Sequence, residues 1–495
     1  MNIVFRVDSS SQMGAGHLMR CMTLADELKK KNHQVTFVCR ELTGSLTSLI
    51  NYPMLILPKD DGFQSKDVYL NWIGATQEQD ARQTIKVIPE DIDILVVDSY
   101  SLDKKWHRQL RVYAQKIVVI DDLADREFDC DILLNQNLDS QKEDYQGKVP
   151  SDCELLLGCD YALLRPEFSE LRKQAKEKRK NTKEIKNILI SMGGSDKNNV
   201  TYDILQQLDD DFNVVVVLGG ASQHKKIIKE YVKNKNIKVE VIVNANNMAE
   251  LMLKADLAIG ASGTTSLERC CLGLPTLLYV LAENQKRIAE NLEQLDATMI
   301  VRDLRNDIQA LVDDFNLWQF MSNKSQSICD GLGTEKVVAY LGSLQKITLR
   351  EVSINDCKLF FDWVNDKAVR QNAFHMGMID WERHQEWFKD KINDSNSYLY
   401  VAENNQGKIG QVRFDCVDGK AVVDYSISSN FRGKGLGKMV VQQAIKKIKK
   451  KCLNIEVIEA KVKVSNIASN KIFLGLGFNE YNRTEQVTIY RLVFG

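Results

Sequence analysis

The stretch that decides the fold is Ile3-Val4-Phe5-Arg6-Val7-Asp8, followed by Met13-Gly14-Ala15-Gly16-His17-Leu18-Met19-Arg20. The apolar run Ile3 to Val7 reads as a first β-strand. Beyond the glycines, Leu18, Cys21, Met22, Ala25 and Leu28 recur at helical spacing. Strand, glycine loop and helix follow one another, and His17 falls in the first turn of the helix. A helix start disfavours a positive ring there. A neutral imidazole facing a cleft can take a proton from water. A histidine that only caps or packs fits the same local pattern.

Outward from this unit, residues 1–165 alternate strands with helices. Ile3–Val7, Gln34–Cys39, Ile92–Asp98, Lys116–Ile120 and Ile132–Leu134 read as strands, with amphipathic stretches such as 79–88 and 105–115 between them. That rhythm predicts a parallel, doubly wound sheet. The charged run Arg172 to Lys186 reads as a helix end and a solvated linker. The rhythm then restarts at Ile188–Ser191, Asn213–Leu218, Val239–Val243, Leu257–Ile259 and Thr276–Tyr279. Two such domains in succession predict a two-lobed enzyme with a ligand in the cleft between them. From Ile347 the pattern becomes α+β: a strand, helical segments at Asp356–Asn365 and Trp381–Asp390, and three antiparallel-looking strands between Leu399 and Ser428. A helix at Leu436–Lys450, a strand at Ile455–Val464 and a last helix at Ala468–Leu476 close it. The expected domains are 1–168, 169–343 and 344–495.

Composition sets the outer limits. The 495 residues are 44% hydrophobic and 27% charged with a formal net charge of −1, as in globular proteins. No global surface for nucleic acid or anionic membrane follows from such a balance. MNIVFRVDSSSQ has no signal-peptide pattern, and no apolar run reaches the ~18 residues of a membrane helix. A cytoplasmic protein is expected. Eleven cysteines without C-x-x-C spacing read as reduced thiols. Asp91-Ile92-Asp93 and Asp129-Cys130-Asp131 have the Asp-x-Asp form of some metal sites, but each lies at a strand entry and no metal is expected. Nothing in the sequence fixes an oligomeric state.

Two loops of the second lobe carry chemistry. Ser191-Met192-Gly193-Gly194-Ser195-Asp196 follows a strand, and Gly193 and Gly194 permit close backbone approach to a ligand. After the strand Leu257–Gly260, Ala261-Ser262-Gly263-Thr264-Thr265-Ser266-Leu267-Glu268 opens a helix, where free N–H groups and hydroxyls bind phosphate oxygens. Glu268 is placed one turn on to accept from ribose hydroxyls. Gly273-Leu274-Pro275 and Glu283-Asn284-Gln285 follow.

Ser-Gly-x-Thr-x(2)-Glu, then Gly-x-Pro, then Asn-Gln resembles the UDP-binding lobe of GT-B glycosyltransferases, with the lipid II-forming N-acetylglucosaminyltransferase as a near match. Within that group, RVDSSSQMGAGHLMRCMTLADEL and Leu163-Leu164-Arg165-Pro166-Glu167-Phe168 resemble one branch, the UDP-2,4-diacetamido-2,4,6-trideoxy-β-L-altropyranose hydrolases of pseudaminic acid biosynthesis. The likeness spans about residues 1–340. It implies a GT-B-like fold and a base role for His17 on the water that attacks the anomeric carbon. It also implies UDP as leaving group, stabilised at Ser262, Gly263, Thr264 and Thr265 without a metal. Expected substrate contacts are Arg6, Asp8, Gly14, Gly16, Gly193, Gly194, Ser262, Gly263, Thr264, Thr265, Glu268, Asn284 and Gln285. Asp8 could orient His17 or bind a sugar hydroxyl. Arg6 is equally a salt-bridge residue.

In the third domain, Ser426-Ile427-Ser428 ends a strand and Arg432-Gly433-Lys434-Gly435-Leu436-Gly437 leads into a helix. Glycines there let N–H groups converge on a pyrophosphate. With Asn466-x-x-Ser469-x-x-x-Phe473-x-x-x-Gly477-Phe478, this resembles the GNAT acetyltransferases. The resemblance implies acetyl-CoA as cosubstrate, held by Ile427, Arg432, Gly433, Gly435, Gly437 and Asn466. One departure stands out. Many members carry a tyrosine where this chain has Phe473, and a phenylalanine cannot protonate the departing thiolate. Tyr425, Tyr481 or water could take over, or the domain is slow or inactive. Asp415, Asp424 and Glu403 are candidate bases. Trp381, Arg383 and Trp387 offer a sugar or uracil platform, with core packing as the plainer reading.

Together the resemblances predict a bifunctional enzyme acting on UDP-amino sugars: acetylation of a 4-amino group, then hydrolysis of the UDP-diacetamido sugar. The alternative is a GT-B glycosyltransferase with a fused acetyl-CoA-binding or sensing domain.

Overall fold

The computed structural model describes the chain except residues 61, 91, 194–195, 221, 235–237, 344–346, 434 and 495, and leaves the side chains of Asn234 and Asn284 undescribed. In the first lobe the strands are β1 (Asn2–Val7), β2 (Gln34–Arg40), β3 (Met54–Leu57), β4 (Ile92–Asp98), β5 (Ala114–Ile120), β6 (Ile132–Asn135) and β7 (Glu154–Leu157). They form one parallel sheet in the order β3-β2-β1-β4-β5-β6-β7. Strand alternation puts Ile3, Phe5 and Val7 on one face, packed against Leu18, Cys21, Leu24, Ala25 and Leu28 of the helix Gly16–Lys30. Val4 lies on the other face, in a core that contains Trp106.

The second lobe repeats the plan with β8 (Asn187–Ser191), β9 (Asn213–Leu218), β10 (Val239–Val243), β11 (Leu257–Ala261), β12 (Thr276–Tyr279) and β13 (Met299–Ile300). Their parallel order is β10-β9-β8-β11-β12-β13. The strands β3, β7 and β13 escape a periodicity reading because they are short and lie at or near sheet ends. The charged run from Arg172 is a helix end, as expected, with a short connection at 182–186. Not all of it is solvated: within the helix Pro166–Asn181, Arg172 donates to the carbonyls of Cys271, Gln326 and Cys329 at 2.5–2.7 Å. Arg179 donates to those of Met252 and Ala255. Long side chains with guanidinium heads can fill the open carbonyls of helix ends.

The lobes do not divide cleanly at residue 168. The helix Gly333–Ser343 crosses back to the first lobe, where Val337, Val338 and Leu341 join the core beside the helix Gly16–Lys30. Its apolar stripe has nowhere else to be buried.

The third domain holds β14 (Thr348–Glu351), β15 (Ser397–Asn404), β16 (Gly407–Val417), β17 (Lys420–Ile427), β18 (Val457–Lys463), β19 (Asn479–Arg483) and β20 (Val487–Val493). The order is β14-β15-β16-β17-β18-β20-β19. All pairs are antiparallel except β17–β18. The helix Leu436–Lys451 lies on this sheet and also reaches the first lobe. There Gln442 Nε2 donates to the carbonyls of Arg111 and Ala114.

Candidate active sites

In an open α/β sheet, ligands collect outside the carboxyl ends of the strands, where the order reverses direction. The first sheet reverses between β1 and β4, and the second between β8 and β11. The loops singled out in both lobes follow these strands.

In the first lobe, Val7 is paired with Asp98, so the ends of β1 and β4 lie side by side. Gly14 turns at φ +75°, and neither Gly14 nor Gly16 has any atom within 4 Å of where a Cβ would stand. The loop is therefore open on its outer side. His17 Nδ1 lies 2.6 Å from Asp98 Oδ1. Asp98 also accepts from Arg20 Nε at 2.6 Å and Arg20 Nη2 at 2.7 Å. Burial works against its charge, but Arg20 and His17 more than offset this and hold the carboxyl well below the usual carboxylate range. An ionised carboxylate only accepts. Arg20 Nη2 lies 3.1 Å from the same ring nitrogen. Facing that carboxylate, Nδ1 donates to Asp98, which orients the ring. Tyr100 stands edge-on to the imidazole, with centroids 4.6 Å apart. Its phenol is hydrogen-bonded to Asp122 and pushed far up by burial and that carboxylate. Asp122 accepts from Arg20 Nη1 at 3.0 Å. Asp98, Tyr100 and Asp122 escape the sequence reading because they lie some 80 to 105 residues from His17. Their one trace is a polar residue at or within two positions of the end of each apolar strand, Ile92–Asp98 and Lys116–Ile120.

Asp8 and Arg6 have other work. Arg6 pairs with Asp8 at 2.7 Å and with Asp80 at 2.6 Å, and Arg40 pairs with Asp80 at 2.7 Å. Asp8 also accepts from the Arg40 backbone N–H at 2.6 Å. Both side chains are fully buried. The expectation that they touch substrate is corrected: Asp98 orients His17, and Arg6 and Asp8 form an ion network below the loop.

In the second lobe, Gly193 turns at φ +82° with open space at its Cβ position. Gly194 lies outside the described residues. Asp196 then caps the next helix, accepting from Val200 N and Thr201 N. Gly263 is also open at its Cβ position, and Thr264 and Thr265 begin the helix Thr265–Cys271. Thr264 is exposed. Ser262 is turned inward: its Oγ donates to Gln285 O at 3.1 Å and its N–H to Tyr279 O. Gln285 Oε1 accepts from Leu281 N at 3.0 Å. Ser262 and Gln285 therefore clamp the loop from within: the Ser262 hydroxyl proton is taken, while Gln285 is engaged through its main-chain O and Oε1 and not through its Nε2 amide. The Asn284 side chain lies outside the described residues. Glu268 is half-buried, 3.7 Å from Arg165 Nη2. Burial raises its acid above the ordinary range while Arg165 and Arg269 pull the other way. Arg269, missed in the sequence, donates to Ala261 O at 2.8 Å and Ser266 Oγ at 3.0 Å. A Cβ on Gly260 would meet Arg269 Nη1 at 2.3 Å, so that glycine admits the guanidinium.

Asp129 and Asp131, the second Asp-x-Asp pair, are taken by Arg111. Asp93 accepts from Asn2 N and Gln115 Nε2, and Asp91 lies outside the described residues.

In the third domain, β17 and β18 pair only from Lys420↔Val457 to Val423↔Ala460. Beyond that both strands continue but part, each keeping its other neighbour. The gap exposes two strand edges, and an extended amide arm can pair with such an edge. Next to it Gly433 (φ +76°) and Gly435 (φ +70°) have open space at their Cβ positions. Lys434 lies outside the described residues. These features suit an acyl-CoA: an open glycine turn at a helix start and a free edge for the arm. Arg432 is engaged, with Nε on Ile427 O at 2.8 Å and Nη2 on Asp366 Oδ1 at 2.6 Å. Gly437 is needed for packing, since a Cβ there would meet Ile472 Cδ1 at 2.8 Å. Asn466 caps the helix Ile467–Gly475 through Ser469 N. The side chains of Arg432 and Asn466 are thus engaged within the protein, and the Gly437 backbone is packed against Ile472. Asp415 is tied to Lys391 and Ser397, and Glu403 to Arg350. Asp424 stays exposed, with Arg413 3.8 Å away. Trp381 and Trp387 pack around His384, with Arg413 over Trp387.

Residues 167–327 match the glycosyltransferase family 28 C-terminal domain, and residues 346–479 match the acetyltransferase (GNAT) domain. The class is therefore a GT-B-like pair of α/β lobes joined to a GNAT-fold domain. The UDP-2,4-diacetamido-2,4,6-trideoxy-beta-L-altropyranose hydrolase of Campylobacter jejuni is 31% identical over 266 residues, covering 53% of this chain and 85% of that protein. The chain belongs to that hydrolase family through its first two lobes and carries a C-terminal GNAT domain besides. An uncharacterized protein of Methanocaldococcus jannaschii is 26% identical across 97% of both chains, so it matches all three parts. The spore coat polysaccharide biosynthesis protein of Bacillus subtilis is 24% identical over 70% of this chain and 98% of its own. Among the described residues no helix is long and apolar enough to cross a membrane.

Proposed function

We propose that this chain is a bifunctional enzyme that N-acetylates the 4-amino group of a UDP-amino sugar and then hydrolyses the UDP-2,4-diacetamido-2,4,6-trideoxy-β-L-altropyranose so formed, in the cytoplasm, as part of pseudaminic acid synthesis. The observation that carries the hydrolase half is the 2.6 Å bond between His17 Nδ1 and a carboxylate at the switch point of the first sheet. It fixes the ring, as a triad aspartate does, and in the neutral tautomer leaves Nε2 to accept a proton. Water gives its proton to Nε2 as its oxygen attacks the anomeric carbon from the face opposite UDP, so the configuration inverts. The departing diphosphate meets the open backbone of Gly193 and Gly263 and the hydroxyls of Thr264 and Thr265. Glu268 accepts from the ribose. Donors that wait where charge develops lower the barrier without a metal.

For the second half, acetyl-CoA supplies an activated acetyl group, and the chain supplies the open turn at Gly433 and Gly435 and the open edge of β17. The amine of the acceptor enters from the exposed side, near Asp424.

The test is mass spectrometry of products from the UDP-4-amino sugar with and without acetyl-CoA. Free diacetamido sugar and UDP are expected only with acetyl-CoA. A chain that consumes the diacetamido substrate only when a sugar acceptor is added is instead a glycosyltransferase.

A further inference from the structure

The acetyl-transfer reading leaves a chemical gap. When the C–S bond breaks, sulfur takes the electron pair and needs a proton, and Phe473 has none to give. Phe473 is 2% exposed and packs edge-on against Tyr425, with centroids 5.9 Å apart. Tyr425 stands on β17 beyond Val423, in the segment that has left β18. Its ring faces the start of the helix Leu436–Lys451: a Cβ on Gly437 would lie 3.8 Å from Tyr425 Cε2. Its hydroxyl lies 2.8 Å from Ser469 Oγ, on the helix that carries Phe473. The phenol therefore sits where the parted strands, the glycine turn and the last helix converge. Burial pushes it up to about 12, so near neutral pH it holds its proton.

The domain has four other tyrosines. Tyr481 is 61% exposed, under the Arg491 guanidinium. Tyr490 donates to Asn470 Oδ1 from a fully paired strand. Tyr398 and Tyr400 lie on β15, with β16 between them and β17.

We propose that Tyr425, backed by Ser469, is the catalytic acid that protonates the departing CoA sulfur in place of the phenol absent at position 473. The proposal rests on the acetyl-transfer reading. The amine nitrogen forms a bond to the acetyl carbon and loses one proton to water. The C–S bond breaks, and the phenol O–H of Tyr425 passes its proton to sulfur. Ser469 donates to the phenolate oxygen while it forms and relays a proton back from solvent, since Ser469 is only half-buried. The products are the amide and a neutral thiol, so charge and protons balance.

The experiment compares the full chain with its Tyr425→Phe, Ser469→Ala and Tyr425→Phe/Phe473→Tyr variants. Thiol release from acetyl-CoA with the UDP-4-amino sugar gives kcat and KM, and UDP release from the diacetamido sugar checks that each variant folds. A general acid is worth about 10²–10⁴ in rate. Tyr425→Phe should therefore lower kcat about a hundredfold while keeping the KM for acetyl-CoA within about twofold. Phe473→Tyr in that background should return about tenfold of the loss, which a packing defect would not allow. Calorimetry adds a readout apart from turnover. At pH 9.5 free CoA should bind several-fold more weakly to Tyr425→Phe than to wild type, and about equally at pH 7, because only the thiolate gains from a phenol donor. Unchanged kcat in Tyr425→Phe would overturn the proposal while leaving acetyl transfer standing. A wild-type chain that binds acetyl-CoA but acetylates no UDP-amino sugar would overturn both.

Discussion

Both α/β lobes set a glycine loop at the point where their sheet order reverses, yet the two loops are stiffened by different means. The first is backed by buried charge: His17 is hydrogen-bonded to Asp98, and Asp98, Arg20 and Asp122 form connected ion pairs drawn from the end of β4, from beyond β5 and from one helix. The second is held mainly by neutral and backbone bonds, from Ser262 to Gln285 O and from Arg269 to Ala261 O. A charged mount fixes one proton on one nitrogen. A backbone mount fixes a shape and leaves N–H groups free. The first suits proton transfer, the second the reception of a leaving group.

The sharpest way to break this contrast is His17→Asn. Loss of a general base should cut UDP release by about 10²–10⁴, while UDP binding measured by calorimetry stays unchanged. A variant at near wild-type rate would remove His17 from the chemistry. Asp98→Asn comes next. The ring loses the partner that sets its tautomer, so kcat should fall about a hundredfold or more, and the structure pays too because Arg20 is left without its buried partner. The pH signature follows from sign. A carboxyl held low in the fold contributes stability that is fully present above its unfolded value, near ~4, and is lost as pH falls through its folded value. Scanning calorimetry should find that the gain in melting temperature from pH 3 to pH 6 shrinks in Asp98→Asn.

For the second loop, Gly260→Ala pushes a methyl into Arg269 and Ser191 O. It should cost about 1–3 kcal/mol of stability and weaken UDP binding, without moving the acidic limb of hydrolysis. The smallest effect belongs to Gln285→Ala, which frees Leu281 N at a part-buried site and should cost about 1 kcal/mol, read as a small drop in melting temperature. A change in UDP affinity larger than tenfold there would return Gln285 to the ligand.

The sequence disclosed what lies close together along the chain. The strand, loop and helix around His17, the helix opening at Thr265 and the Arg432–Gly437 loop were all legible, because local periodicity and glycine spacing encode them. What it hid was partnership across the fold. Asp98 reads as one more strand end until β1 and β4 are set side by side. Arg6 and Asp8 look like cleft residues until Asp80 and Arg40 close over them. Arg172 looks solvated until its helix meets three open carbonyls. The strand β19 was passed over because Asn479–Arg483 is exposed throughout, leaving no apolar alternation to read.

The returning helix Gly333–Ser343 has a consequence for how the molecule is made. Translation proceeds at about 5–20 residues per second, so the first 168 residues wait roughly ten to thirty seconds before Val337, Val338 and Leu341 exist to finish their core. During that interval the nascent first lobe carries an apolar patch beside the helix Gly16–Lys30, the helix that bears His17. Ribosome-bound intermediates of this chain should therefore recruit chaperones until residue 343 has left the exit tunnel, and His17 should be among the last groups to find its final surroundings.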